Sequence, residues 1–228
     1  MGFQTVNITR NLELILKELP SGVKLIAVTK THPEDIILQA YQAGHKIFGE
    51  NKAQELVNKY QRLPGDIEWH MIGHLQTNKV KYIAPFVNLI HSVDSVKLLN
   101  TIDREADKNN RIIDCLLQLK IAKEETKSGM SYGEIISLLN SEDYKQCSHV
   151  RITGLMGMAT FTKDEILIQK EFEYLAASFR NIKETFFKEK TYFCELSMGM
   201  SDDYKTAIKA GSTMVRIGSL IFGERKYH

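Results

Sequence analysis

The stretch VKLIAVTKTH, residues 23–32, decides the fold of this chain. Its run 25–28 is apolar, as in a strand that is buried on both faces of a parallel sheet. Lys30 follows where that strand should end, and Pro33 then favours a helix, because proline suits a first helical turn. The order of strand, lysine and helix places Lys30 at the carboxyl end of the first strand, where α/β folds bind ligands.

Lys30 has two interpretations at this edge. A lysine held against apolar neighbours loses its proton more easily, and the neutral amine can attack a carbonyl group to form a Schiff base. A lysine at the end of a strand is more often solvated and has no chemical role. The position of Lys30 alone does not distinguish a Schiff-base lysine from a solvated one, so the other residues at this edge are needed to choose between them.

The composition indicates an ordinary globular protein. Its 228 residues, 43% hydrophobic and 25% charged, can bury one full core, and α/β barrels of this length are commonly single domains. We therefore expect residues 1–228 to form one domain. The 30 basic and 28 acidic side chains are interspersed and sum to a formal charge of +2, which predicts no binding to nucleic acid or to an anionic membrane.

The cysteines and the N-terminus predict the cellular compartment. Cys115, Cys147 and Cys194 are odd in number and form no C-x-x-C pair, which favours thiols in a reducing compartment over disulfides or a zinc site. The N-terminus has no signal-peptide pattern, and no apolar run approaches the roughly 20 residues of a membrane span. We expect a cytoplasmic protein that acts as a monomer.

Along the chain, the spacing of apolar residues alternates between that of helices and that of strands. Apolar residues at 8, 12, 15 and 19 form the stripe of an opening helix, and strands and helices then follow each other to the C-terminus. Eight strands, nearly all separated by helices, predict a (β/α)8 TIM barrel with an extra N-terminal helix. An open doubly wound sheet is the alternative, and the number of strands favours closure. The predicted strands are 25–28, 46–48, 68–72, 88–91, 112–121, 150–155, 192–196 and 213–217.

Two segments that follow predicted strands resemble an anion site. The segment 197–201, SMGMS, follows the seventh strand, and Gly218 with Ser219 follows the eighth. A phosphate held by these two loops is a recurrent feature of such barrels, and hydroxyl and N–H groups are its usual donors. The alternative is that Ser201 only caps a helix and that Gly218 only makes a turn. The other residues expected at this edge are Asn51, His74, Ser92, the charged loop 123–129 and the segment 156–158.

Arg216 and two histidines complete the candidates. Arg216 precedes Gly218 by two residues, so both face the same side of the last strand. An arginine inside a barrel needs an acceptor, and an outward arginine that packs on a helix is the alternative. His70 and His74 are four residues apart, but on a strand and a loop they are not the zinc pair of a helix, so we expect no metal.

Seven motifs follow one another along the chain: AVTKTH at 27–32, FGENKAQE at 48–55, WHMIGHLQTNK at 69–79, KSG at 127–129, GLMGM at 154–158, SMGMSDDYKTAI at 197–208 and GSTMVRIGSLIFG at 211–223. Taken in order, they resemble those of the pyridoxal-phosphate homeostasis proteins, whose barrel is that of the N-terminal domain of alanine racemase. The resemblance implies that pyridoxal 5'-phosphate (PLP) is the cofactor and that Lys30 forms an internal aldimine with it. It also implies that Ser201, Gly218 and Ser219 hold the phosphate and that Arg216 faces the pyridine nitrogen.

Three further positions match the family pattern, and one departs from it. Asn51, His74 and Met198 match positions that line the same pocket, although the resemblance assigns them no individual role. Lys120 stands where many relatives have asparagine, so the polarity of the edge after the fifth strand can differ here.

The resemblance is compatible with two functions, that of a PLP-dependent enzyme and that of a PLP carrier. Racemization needs acid/base groups on both faces of the cofactor, and racemases of this fold take one from a second, β-rich domain; only five residues follow Gly223, so we expect no such domain. Arg216 donates hydrogen bonds and cannot accept them, so it would keep the pyridine nitrogen unprotonated and weaken the ring as an electron sink. We therefore predict a PLP homeostasis protein without robust turnover, with apo-PLP enzymes as candidate recipients. A weak racemase is the alternative, and a cofactor-free Schiff-base aldolase would leave Arg216 unexplained.

Overall fold

The computed structural model describes residues 6–122 and 128–223. Its strands are β1 Lys24–Val28, β2 Ile47–Glu50, β3 Glu68–Met71, β4 Leu89–Val93, β5 Ile113–Gln118, β6 Val150–Met156, β7 Glu195–Ser197 and β8 Met214–Ile217. They pair in chain order, all parallel, and β8 pairs with β1 to close the barrel. This closure confirms the (β/α)8 fold, and the open-sheet alternative is wrong.

Helices follow the strands around the barrel, and one helix precedes them. The helices are α1 Ile8–Glu18, α2 Glu34–Gln42, α3 Ala53–Arg62, α4 Val80–Ile83, α5 Val96–Lys108, α6 Tyr132–Asn140, α7 Glu142–Gln146, α8 Glu165–Phe186, α9 Tyr204–Lys209 and α10 Ser219–Phe222. Side-chain caps fix several starts: Asn7, Ser95 and Asp164 accept backbone N–H groups, and Ser131 forms a capping box with Glu134. Within the described ranges, no helix has both the length and the apolar content of a membrane span.

The alternation of β1 explains why its sequence is apolar throughout. Leu25 and Ala27 pack in the large layer between strands and helices, whereas Ile26 and Val28 pack inside the barrel. Successive strand residues point to opposite faces, so both faces of β1 are buried. Burial of Leu25, Ile26 or Val28 stabilises the fold by about 1.5–3 kcal/mol each. The other buried members of the interior layer are Ile72, Leu89, Leu116, Met156 and Met214.

The seventh strand differs from its prediction. Residues 192–196 were expected to pair, but β7 begins at Glu195. Phe193 is fully buried and stacks with Phe179 and Phe187, with ring centroids 5.0 and 4.3 Å apart. Phe193 thus precedes the strand and packs its ring on Phe179 of α8 and on Phe187, which follows that helix, while the Cys194 N–H still donates to the Thr153 carbonyl of β6 at 3.0 Å.

Candidate functional site

Lys30 lies two residues beyond β1, at the carboxyl edge of the barrel, and is half-buried. Ile26 of β1 is opposite Arg216 of β8 in the sheet register. A Cβ atom added at Gly218 would come within 3.1 Å of the Val28 carbonyl oxygen, so the ends of β8 and β1 lie against each other. The fold therefore brings Lys30, Arg216 and Gly218 to the same edge.

The backbone next to Lys30 has an uncommon conformation. Thr31 has a φ of +68°, a region that β-branched residues rarely adopt and that costs about 1–3 kcal/mol. The Thr31 N–H donates to Glu55 Oε1 at 2.7 Å, and the His32 N–H donates to the Thr29 carbonyl at 3.0 Å. These contacts hold the chain in a tight turn directly after Lys30.

The loops after β7 and β8 meet at Ser201 and Gly218. The Gly218 N–H donates to Ser201 Oγ at 3.4 Å. Ser219 begins α10, where the N–H groups of Ile221 and Phe222 both donate to the Gly218 carbonyl. The Ser219 and Leu220 N–H groups therefore have no acceptor within that helix. Two hydroxyls and adjacent N–H groups thus lie in these loops, and their binding of a phosphate stays a prediction.

Arg216 is buried inside the barrel with acceptors for its guanidinium group. Nη1 donates to Ser197 Oγ at 2.6 Å, and Nη2 donates to the Gly157 carbonyl at 3.1 Å. Burial lowers the pKa of Arg216 to about 10, and the Asp203 carboxylate opposes this shift. Arg216 thus remains protonated at neutral pH. The inward orientation is confirmed, and the outward alternative is wrong.

A line of polar side chains continues from Arg216 through the barrel interior. Ser197 Oγ is 2.9 Å from His91 Nδ1, and His91 Nε2 is 3.0 Å from His70 Nδ1. Burial lowers the pKa of His70 to about 3 and that of His91 well below its usual value, so both rings are neutral near pH 7. From the sequence, His70 was a candidate only as a metal ligand, and this line of hydrogen bonds was not predicted. The signal was the alternation of β3, β4 and β7, which turns these three residues inward.

His70 and His74 diverge in the structure. His70 points into the barrel, whereas His74 is exposed on the following loop and pairs with Asp94, with Nδ1 3.1 Å from Oδ2. In the part of the chain that the structure describes, no three His, Cys, Asp or Glu side chains are grouped as metal ligands would be.

Asn51 and Met198 have different surroundings. Asn51 is half-buried after β2, and a Cβ atom on Gly73 would come within 2.3 Å of the Asn51 carbonyl oxygen, so the loops after β2 and β3 adjoin. Met198 is fully buried in the apolar layer between strands and helices. Asn51 and His74 thus lie at the same edge as Lys30, whereas the Met198 side chain belongs to the core. Their contributions to a pocket stay predictions.

Comparisons with known proteins identify the family. The model of the alanine racemase N-terminal domain matches residues 4–226. A pyridoxal phosphate homeostasis protein of Aquifex aeolicus is 40% identical over 206 residues, which cover 90% of this chain and 88% of the relative. A protein of the same name from Haemophilus influenzae is 36% identical and covers 97% of this chain and 98% of its own length. This chain belongs to the pyridoxal phosphate homeostasis protein family.

Solved structures of the family have the same fold. PipY of Synechococcus elongatus PCC7942, without PLP, superposes with a TM-score of 0.89 at 34% identity, covering 95% of this chain and all of PipY. The PLP-bound form of PipY gives a TM-score of 0.85 at 33% identity over the same shares of the two chains. Alanine racemase of Clostridium difficile 630 gives 0.74 at 12% identity, covering 99% of this chain and 61% of the racemase, which shows a shared fold alone.

Lys120, which we expect to alter the polarity of the edge after β5, lies two residues beyond that strand. Lys120 is half-buried there, and its N–H donates to the Met130 carbonyl at 2.8 Å. Gln118 Nε2 donates to the Ser128 carbonyl at 2.8 Å, so the end of the predicted loop 123–129 lies against this edge. Residues 123–127, which include the lysine of the KSG motif, lie outside the described residues.

Proposed function

We propose that this protein binds PLP at the carboxyl edge of the barrel, holds it as a Schiff base on Lys30, and serves PLP homeostasis in the cytoplasm as a single-domain monomer. The observation that carries the proposal is the shared edge of Lys30, Arg216 and the Ser201–Gly218 contact. The names of the relatives and the PLP-bound form of PipY support it.

Each residue has a role that its chemistry allows. The neutral amine of Lys30 attacks the aldehyde carbon, and water leaves as the C=N bond forms. The Ser201 and Ser219 hydroxyls would donate to the phosphate, and Gly218, whose N–H donates to Ser201 Oγ at 3.4 Å, would hold the Ser201 side chain beside it. When bound, PLP supplies the electrophilic aldehyde and a ring that can withdraw electrons.

Arg216 supports a holding role over a catalytic one. Its guanidinium group has only donors, so a pyridine nitrogen that faces it acts as an acceptor and stays unprotonated. An unprotonated ring withdraws electrons weakly, which disfavours reactions at the α-carbon of an amino acid. A weak racemase is the alternative, and among the structural comparisons it is favoured by the shared fold alone. We propose apo-PLP enzymes as recipients of the released cofactor.

The experiment is a titration of the purified protein with PLP, followed by borohydride reduction and peptide mapping. We expect a yellow protein, an absorbance band that reduction removes, and a label on the peptide that contains Lys30. Lys30→Ala should abolish the band and leave the fold intact, because a half-buried residue at the edge contributes little to the core. Lys52→Ala is the matched control, since Lys52 is an exposed lysine that follows β2 at the same edge. A wild-type protein that stays colourless with added PLP would contradict the proposal.

A further inference from the structure

Lys59 is a buried lysine on the inner face of α3, with 5% of its surface exposed. Its Nζ atom donates to three oxygen atoms: Glu50 Oε1 at 2.6 Å, Glu55 Oε1 at 2.7 Å and the Thr29 carbonyl at 2.8 Å. An ammonium group has three N–H donors, so these contacts use all of them. The orientation of the Lys59 side chain is therefore fixed.

Glu50 is the acidic centre of this group and is fully buried at the end of β2. Its Oε1 atom accepts the Thr29 hydroxyl at 2.6 Å as well as Lys59, whereas its buried Oε2 atom has no partner among the described residues. Burial raises the pKa of Glu50, and the contacts with Lys59 and Thr29 oppose the shift. A buried ion pair of this kind is not an efficient source of stability, because its desolvation offsets most of the attraction between the charges.

The group contacts the chain on both sides of Lys30. Thr29 precedes Lys30 and is held through its carbonyl by Lys59 and through its hydroxyl by Glu50. Thr31 follows Lys30, and Glu55 accepts its N–H at 2.7 Å, while its φ of +68° is uncommon for a β-branched residue. Three hydrogen bonds thus fix the two neighbours of Lys30, and they hold one of them in a strained conformation.

We propose that Lys59, Glu50 and Glu55 are positioning residues that fix the backbone of Lys30 for attack on the PLP aldehyde. The inference rests on the proposed function, because it assigns a purpose to the group only if Lys30 forms the Schiff base. Surface ion pairs contribute little to stability, and a buried pair that serves only the fold could be replaced by apolar residues. Lys59, Glu50 and Glu55 also form hydrogen bonds with Thr29 and Thr31, which apolar side chains could not form.

The test compares Glu55→Ala with Glu55→Gln. Alanine removes the acceptor of the Thr31 N–H, whereas the amide oxygen of glutamine keeps it. We expect Glu55→Ala to slow Schiff-base formation with PLP about tenfold or more, since small misplacements of a reacting group have effects of this order. Glu55→Gln should recover most of the rate. Both variants should bind pyridoxine 5'-phosphate, which has the ring and phosphate but no aldehyde, as tightly as the wild type.

Glu184→Ala is the matched control. It removes a Glu–Lys pair with the same spacing of four residues, which joins Glu184 to Lys188 at 2.7 Å and has both side chains exposed. This variant should form the Schiff base at the wild-type rate. If Glu55→Ala does not fold, Thr29→Val replaces it, because valine keeps the shape of threonine and removes the hydroxyl donor to Glu50.

The outcomes separate this inference from the proposed function. A wild-type protein that forms no Schiff base would overturn the proposed function. A normal wild type with an unchanged rate in Glu55→Ala, or in Thr29→Val where that is used, would overturn only the positioning role. Equal losses for PLP and pyridoxine 5'-phosphate would also overturn it, because they would mean that the group supports the pocket as a whole.

Discussion

Arg216 is a buried cation whose side-chain acceptors among the described residues, the Ser197 hydroxyl and the Gly157 carbonyl, are uncharged. Burial of a charge is costly, and the Asp203 carboxylate offsets only part of that cost, yet a pKa of about 10 leaves the guanidinium group protonated at neutral pH. Such a group gains from every further acceptor. A pyridine nitrogen placed at this edge would supply one, which gives a physical reason for Arg216 to take part in binding PLP.

Replacing Ser201 or Ser219 tests whether these serines bind the phosphate of PLP. Ser201→Ala or Ser219→Ala should weaken PLP binding by roughly 1.5–3 kcal/mol, the range for a hydrogen bond to a charged group. Pyridoxal, which lacks the phosphate, should bind the variants and the wild type almost equally. Binding of both ligands can be measured by titration of the absorbance. Ser148→Ala, at an exposed position just before β6, should leave both affinities unchanged. Equal losses for PLP and pyridoxal would mean that the serines support only the fold.

The line of hydrogen bonds from His70 through His91 and Ser197 to Arg216 joins four strands, β3, β4, β7 and β8. Its two histidines are neutral in the folded protein. Lys24 lies near His70 and Arg216 lies near His91, so these positive charges lower the pKa of each histidine in the same direction as burial. The interior of the barrel is therefore polar at these positions and yet resists protonation.

Acid should destabilise the barrel through this line. The folded-state pKa of His70 is about 3, below its unfolded value of about 6.5, so between these values the unfolded chain binds a proton that the folded chain does not. The stability that the neutral ring contributes is thus present above pH 6.5 and falls as the pH is lowered. For His70 the loss between pH 7 and pH 5 is about 2 kcal/mol.

Denaturant unfolding at pH 7 and pH 5 measures this loss. His70→Gln keeps a neutral hydrogen-bonding side chain that cannot titrate, so it should reduce the dependence of the unfolding free energy on pH. Equal pH dependence in the wild type and His70→Gln would contradict the assignment.

The sequence predicted those elements whose pattern is local. β1 and Lys30 were predictable because an apolar run, a lysine and a proline follow one another, and Arg216 with Gly218 followed from alternation. The start of β7 was not predictable, because the stacking of Phe193 on Phe179 and Phe187 involves contacts that the local sequence pattern does not show. Lys59 was missed because the sequence indicates the inner face of α3 only through its apolar residues, Ala53, Leu56, Val57 and Tyr60. The structure buries Ala53 and Leu56 as expected, and Lys59 with them.

At the scale of the whole molecule, the proposed ligand site and the ion pairs of the barrel mouth lie at opposite ends of the barrel. The proposed site lies at the carboxyl edge, whereas two ion pairs, Lys24 with Glu195 and Arg151 with Asp114, lie at the opposite, amino-terminal mouth of the barrel. Arg151 makes two contacts with Asp114, at 2.6 and 2.9 Å. Those charges are paired with each other, so they require no ligand. This arrangement fits a barrel in which one edge binds a ligand and the other serves stability.

Turnover tests most directly whether this barrel holds PLP or uses it. The PLP-loaded protein is incubated with a panel of L-amino acids, and the formation of D-isomers and exchange of the α-hydrogen in deuterated water are followed. Because Arg216 at the pyridine nitrogen would weaken the ring as an electron sink, we predict no appreciable turnover, and Arg216→Glu should mainly change the absorbance and retention of PLP. Wild-type turnover of about 1 per second or faster, the low end for ordinary enzymes, would contradict the account and make the protein a racemase or another PLP enzyme.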